Sequence, residues 1–162
     1  MPMMATVAVL TAALALGVSA CSSVENTAKP EREIRYERTM CFGPCPAFEF
    51  VAYATGRCEL TVRNPGNEGP LAELSPGDYV GEIEDAPDRM AELEALALKL
   101  NYLELDATYD DPRVMDVAAK QTVLLGHRVT NRFGGPDLKE LYAPLQSLID
   151  GIDWVAVTSD AH

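Results

Sequence analysis

The first twenty residues, Met1 to Ala20, contain no Asp, Glu, Lys, Arg or His. Ala5 to Val18 is small or apolar apart from two threonines. A helix lying on a protein core would show a polar face, and none is present here. The stretch is also too short to span about 30 Å of hydrocarbon comfortably. It has the length and composition of the apolar part of a secretory signal peptide. Positive charge is scarce in the remainder: 13 Lys and Arg stand against 25 Asp and Glu, a formal net charge of −12. That balance argues against a nucleic-acid partner, which needs clustered Lys and Arg for phosphates. It also disfavours adhesion to anionic lipid head groups. Its plain physical consequence is solubility. The sequence lacks G-x-S-x-G, a phosphate-binding Gly-Lys loop and H-E-x-x-H. Acyl transfer, nucleotide hydrolysis and metalloprotease chemistry therefore have no local motif. No internal repeat and no low-complexity tract is present.

The apolar run ends Leu16-Gly17-Val18-Ser19-Ala20-Cys21. Val18, Ser19, Ala20 and Cys21 resemble the lipobox of bacterial lipoproteins, in which small residues precede the lipidated cysteine. The resemblance implies that residues 1–20 are a lipoprotein signal peptide. It implies that Cys21 is diacylated and becomes the first residue of the mature chain. Two acyl chains anchor stably where one binds only marginally. Ser22 follows the cysteine rather than Asp, which implies outer-membrane attachment, facing the periplasm. The membrane is thus an expected partner, through the N-terminal lipid. Residues 21–33 are polar, with Asn26, Lys29 and Pro30, and read as a lipidated tether. A single domain is expected over 34–156, with a tail at 157–162.

Within that domain, Glu33 to Thr39 alternates weakly and reads as a first strand. Phe48 to Ala54 places Phe48, Phe50, Ala52 and Ala54 on one face. Thr55-Gly56-Arg57 turns the chain, and Cys58, Leu60 and Val62 then alternate inward, a hairpin pattern. Asn64 to Pro70 is a loop. Asp78 to Glu84 is a further short strand. Asp85 can cap a helix carrying Met90, Leu93, Leu96, Ala97 and Leu100 as its apolar stripe. Tyr102 to Val117 is acidic and irregular. Lys120 to Leu125 and Arg128 to Phe133 form a second hairpin, turning at Gly126-His127. Pro136 suits a helix start. Leu138, Leu141, Leu145, Leu148 and Ile149 line a last helix that Pro144 must kink or split. Trp154 is expected to pack back on the domain. The expected class is α+β: a two-layer sandwich with an antiparallel sheet of about four to six strands in two hairpins, covered on one face by two helices.

Cys41-Phe42-Gly43-Pro44-Cys45-Pro46 is the sharpest feature of the mature chain. Preceded by Glu37 to Met40 and followed by a strand and a Thr-Gly turn, it resembles a family of bacterial envelope domains catalogued as domain of unknown function 6438. Tyr109, Asp116 and Pro136 to Leu141 look like later elements of that family's pattern. The resemblance implies fold and address. It implies no activity, because the family has none assigned.

Outside the cytoplasm, paired thiols usually oxidise. The Cys41 to Cys45 spacing allows a disulfide across a tight turn, worth about 2 kcal/mol in the chain-entropy model. Pairing either of them with Cys58 would close a larger loop, worth roughly 3 kcal/mol. With Cys21 lipidated, three thiols remain, so one is left unpaired. Cys41–Cys45 is the favoured pairing, with Cys58 on the inner face of its strand. A redox role is the rival reading, since Gly43-Pro44-Cys45 is similar to part of the thioredoxin motif with one residue added. Redox cysteines are activated at helix N-termini, whereas the segment after Cys45 alternates like a strand. A zinc site from three Cys and His127 matches no common spacing, and His162 is terminal. The acidic stretch of Asp106, Asp110, Asp111 and Asp116 is interrupted by Pro112 and has no EF-hand spacing. No metal and no cofactor is implied, and no catalytic residue is assigned. The expected function is a non-catalytic envelope lipoprotein domain that binds or scaffolds an envelope protein or small ligand. The alternative is a periplasmic thiol–disulfide redox protein using Cys41 and Cys45. Cys45, Tyr109 and Asp116 are the candidates for a shared functional cleft.

Overall fold

The computed structural model describes residues 32–158. The signal peptide, Cys21, nearly all of the tether and the last residues of the tail lie outside them. Period-two alternation builds the first strands, β1 (Glu33–Arg38), β2 (Ala47–Tyr53), β3 (Arg57–Asn64) and β4 (Gly77–Glu82). Helix α1 (Ala86–Lys99) follows, then the short strand β5 (Thr108–Tyr109), the hairpin β6 (Lys120–Leu124) and β7 (His127–Asn131), helix α2 (Lys139–Asp150) and β8 (Val155–Ala156). All eight strands form one sheet in the order β5-β7-β6-β1-β2-β3-β4-β8. The class is α+β, as expected.

The sheet is larger than the four to six antiparallel strands expected from sequence, and it is mixed. Its two extra strands are β5 and β8, each two residues long. Runs that short carry no alternation to read. β5 pairs in parallel with β7, Thr108 opposite Thr130. β8 pairs with β4, Tyr79 opposite Ala156. Short strands at both edges leave little unpaired backbone for edge-to-edge association.

One face of the sheet carries the core. Ile34, Tyr36, Phe48, Phe50, Leu60 and Val62 are buried against Met90, Leu93 and Ala97 of α1 and Leu141, Leu145 and Ile149 of α2. Cys58 is fully buried on that face. The other face is a lattice of charge. Arg63 reaches Glu37 at 3.0 Å and Glu49 at 3.4 Å, and Arg35 pairs with Glu33 at 2.9 Å. Such exposed pairs contribute about 0–1 kcal/mol each. Val51 lies on the charged face yet is 6 % exposed, because Arg35 and Glu59 flank it on the neighbouring strands.

Several local readings change. Asp85 occupies the position before α1, but in a left-handed conformation (φ 52°), and its side chain makes no cap bond. Its carbonyl accepts the N–H groups of Asp88 and Arg89 instead. The β6–β7 turn is Leu125-Gly126, both at positive φ (54° and 75°), as a type I′ hairpin requires. His127 is therefore the first residue of β7, not a turn residue. Helix α2 starts at Lys139, three residues after Pro136, and runs through Pro144 as one element. Trp154 does pack back: its ring meets Phe50 edge-on at 6.1 Å, and its indole N–H donates to Ile149 O at 3.1 Å.

Apart from the tyrosines, Thr122 is the only buried polar side chain among the described residues. Its hydroxyl lies 2.7 Å from the Tyr102 hydroxyl, which also donates to Thr122 O at 2.9 Å. Burial pushes the Tyr102 phenol up to about 12. Tyr102→Phe strands the Thr122 hydroxyl in the core, at a cost of about 1–3 kcal/mol. The expected readout is a lower urea midpoint with an unchanged slope. A midpoint equal to the wild type's would show that the pair contributes nothing.

Candidate functional site

β1 leaves the centre of the sheet at Arg38, and β2 returns to it at Ala47. The excursion between them holds the Cys41–Cys45 disulfide, whose Cα atoms are 5.9 Å apart. The favoured pairing is thus present, and Cys58 is the free thiol. Two neighbouring segments brace the loop. Thr39 N–H donates to Ala119 O at 3.0 Å, and Ala119 N–H donates back to Thr39 Oγ1 at 2.8 Å. Phe42 N–H donates to Asp116 O at 3.3 Å. From the other side, Gly66 (φ 77°) lies against Pro46, where an added Cβ would sit 3.1 Å from the ring.

Beside this loop is a recess of about 510 Å³ at the start of α2. Cys41, Cys45 and Asp116 line it, together with Arg38, Lys120 and Tyr142. Two of the three cleft candidates, Cys45 and Asp116, therefore do come together. Tyr109 does not line the recess. It stands behind its wall in β5, its ring carbon Cγ 2.7 Å from where a Gly135 Cβ would be. Its hydroxyl accepts the Asp106 N–H at 2.9 Å, and its carbonyl accepts Arg132 N–H at 2.9 Å. Tyr109 holds the β5–β7 corner.

Sequence reading missed the three residues that define the recess chemically. Arg38 continues the inward alternation of Ile34 and Tyr36, and lies directly opposite Phe48 in β2. Lys120 continues that of Leu124 and Thr122, and lies directly opposite Arg38 across β1 and β6. Both cations thus sit on the apolar face, where it runs out beyond the start of α2. Neither forms an ion pair among the described residues, and Arg38 Nε is buried without a hydrogen bond. Lys120 Nζ stands 4.5 Å over the Tyr142 ring. Burial, then Arg38 and Lys139, hold the Lys120 ammonium below its ordinary range, against an opposing pull from Asp137. Tyr142 is 7 % exposed, and its hydroxyl is buried without a hydrogen-bond partner. Burial pushes the Tyr142 phenol up and the neighbouring Asn131 amide opposes that push, but no hydrogen bond of proper geometry reaches the hydroxyl; the Asn131 amide donates to Pro136 O at 2.9 Å.

Of the other charges lining the recess, the Asp116 carboxylate is exposed and unpaired among the described residues, and Arg132 Nε is, like Arg38 Nε, buried without a hydrogen bond. Asp137 pairs with Lys139 at 3.3 Å and accepts the Lys139 N–H at 3.1 Å. Arg132 Nε faces Asp110 at 3.6 Å, too long for a hydrogen bond. Among the described residues no group of three or more His, Cys, Asp or Glu is arranged to hold a metal ion. His127, proposed and rejected as a ligand on spacing, has Nε2 3.0 Å from Leu105 O and its ring edge-on to Tyr102. A second, larger groove of about 1230 Å³ runs between α1, α2 and β4, and gathers no unpaired buried polar side chain. The chain matches no family model, no curated protein and no solved structure.

Cys58 tests the assignment of the free thiol. Burial pushes its pKa from 9.0 up to about 11. At pH 8 about one thiol in a thousand is then thiolate, the form that reacts. Iodoacetamide at pH 8 is expected to leave Cys58 unlabelled in the native chain and to label it in urea. A raised folded pKa means the stability from burying the neutral thiol is complete below pH 9 and is lost as pH rises towards about 11. Rapid native labelling at pH 8 would overturn this placement.

Proposed function

We propose that the chain is a lipid-anchored binding domain of the bacterial cell envelope, that it performs no chemistry of its own, and that its ligand site is the recess beside Cys41–Cys45. The observation that carries the reading is the recess itself: a braced disulfide loop walls a cavity whose central cations form no ion pair, and whose buried hydroxyl forms no hydrogen bond, among the described residues. Polar groups left unpaired in a cavity are what a ligand can satisfy. The lipobox-like Val18 to Cys21 supports the anchor. No helix among the described residues is long and apolar enough to cross a membrane. The similarity of the Cys41 to Pro46 turn to the envelope family supports the address. A disulfide formed outside the cytoplasm agrees with both.

Mass spectrometry of the membrane-extracted protein tests the reading. The expected N-terminus is a diacylated Cys21, with Cys41 and Cys45 joined and resistant to mild dithiothreitol until the domain unfolds. An intact Met1, or an unmodified Cys21, would sink the anchor.

One observation favours a second reading, thiol–disulfide exchange. β2 follows Cys45, as expected, so no helix starts there. The recess nevertheless brings Arg38, Lys120 and the N-terminus of α2 to the same cavity as Cys41 and Cys45. Cations and helix N-termini lower thiol pKa values. Exchange with a dithiol would take two electrons and two protons into Cys41–Cys45, leaving two thiols here and a disulfide on the donor. The readout is the thiol titration of the reduced chain. An apparent pKa below about 7 at Cys41 or Cys45, with rapid reduction of the native bridge, establishes exchange. Ordinary thiol values and a resistant bridge leave the disulfide a structural one.

A further inference from the structure

Strand pairing places Arg38 and Lys120 directly opposite each other. Like charges in that relation repel, and a half-buried setting strengthens the repulsion. The charged face of the same sheet shows how this fold relieves such a clash. There Glu37 lies opposite Glu49, and Arg63 bridges both carboxylates at 3.0 and 3.4 Å. Among the described residues nothing bridges Arg38 and Lys120. The acidic residues at the recess are Asp116 and Asp137, with Asp110 behind Arg132. Asp137 and Asp110 are spent on Lys139 and Arg132, and Asp116 is exposed and bonded only through its carbonyl. In a chain with 25 acidic side chains, two adjacent inward cations that form no ion pair among the described residues are a marked departure, and Asp137 pulls on Lys120 only from beyond ion-pair distance.

The Tyr142 hydroxyl is a second, independent sign. It is a donor without an acceptor, on a ring that lines the same recess and stacks on Tyr36 at 5.8 Å. An oxyanion would satisfy all three groups. Arg38 offers a planar fork matched to carboxylate or phosphate, Lys120 a point charge, and Tyr142 a neutral donor.

Resting on the recess reading above, we propose that this site binds a small oxyanion, a carboxylate or phosphate group, bridging Arg38 and Lys120 with Tyr142 as the third contact. The charge count of two unpaired cations favours a doubly charged ligand. The same bridge relieves the repulsion that the empty site carries, so ligand binding and stability are coupled at these two positions.

The test uses the full chain in detergent, titrated with inorganic phosphate, succinate and the neutral diamide of succinate. Thermal unfolding and hydrogen exchange over residues 38–45 and 136–142 are followed. Phosphate, succinate or both are expected to raise Tm saturably and to slow exchange at the recess, while the diamide does neither. Which anion binds more tightly distinguishes a phosphate from a carboxylate ligand. R38Q and K120Q are each expected to weaken binding by about tenfold or more, the weight of a lost charge-assisted contact. Without ligand both variants should unfold at or above the wild-type Tm, since each removes one of two opposed cations. That gain separates lost recognition from a damaged fold. Y142F keeps the ring and should weaken binding several-fold. Equal protection by the neutral diamide would overturn the oxyanion assignment while leaving the recess as a binding site. No saturable effect from either anion at about 10 mM, a weak-binding ceiling, or an undiminished effect in the R38Q/K120Q chain, would overturn the site. The anchored-domain reading stands or falls separately, on the mass spectrum.

Discussion

Between Thr39 and Pro46 the chain leaves the middle of an eight-stranded sheet and turns back into it. β1 is paired on both sides, by β2 and by β6, so its exit cannot spread along the sheet. The Cys41–Cys45 bridge closes that exit as a tight loop. Its entropic contribution is only about 2 kcal/mol, comparable with a pair of hydrogen bonds. Its positional consequence is larger. With the loop closed, Asp116 and Gly66 can lie against it from two sides, and the end of the apolar face stays uncovered.

The recess is continuous with the core. Phe48 meets Tyr36 edge-on at 5.5 Å, Tyr36 stacks on Tyr142, and Lys120 stands over Tyr142. This column runs from fully buried rings to an ammonium. Each member loses rotamer freedom to the one below it, so the Lys120 ammonium at the end is held by packing. Long surface side chains usually pay entropy when they grip a ligand. Here part of that ordering is complete before anything binds.

Most of the sheet was legible because alternation carries it. Phe48, Phe50, Ala52, Cys58, Leu60 and Val62 point inward as their spacing requires, and the stripes of α1 and α2 follow the helical period. β5 and β8 were not legible, since two residues hold no period, and their pairing is settled by tertiary neighbours. The cysteine turn was found from its spacing and from the count of free thiols. The cations were readable in principle. Arg38 and Lys120 stand at inward positions of their strands, and inward charge conflicts with the pattern around it. What sequence could not show is that β6, some eighty residues downstream of β1, would lie beside it and bring the two conflicts face to face. Tyr109 and Asp116 were chosen by pattern, and only Asp116 reaches the recess. Tyr109 illustrates the commoner fate of an aromatic beside glycine, packing against the gap that the glycine leaves.

A net charge of −12 and a cationic recess act over different distances. At physiological salt, charges further apart than about 8 Å are largely screened. A small anion therefore feels mainly the few groups lining the recess, where Arg38 and Lys120 prevail. A broad anionic surface, such as a membrane rich in acidic lipids, meets many of the protein's carboxylates at once and is repelled. For a domain tethered close to a bilayer, as proposed, this difference matters. An acidic protein with one half-buried basic pair is selective by ligand size before any contact is made, because only something smaller than the screening length can reach the positive charge without also confronting the negative.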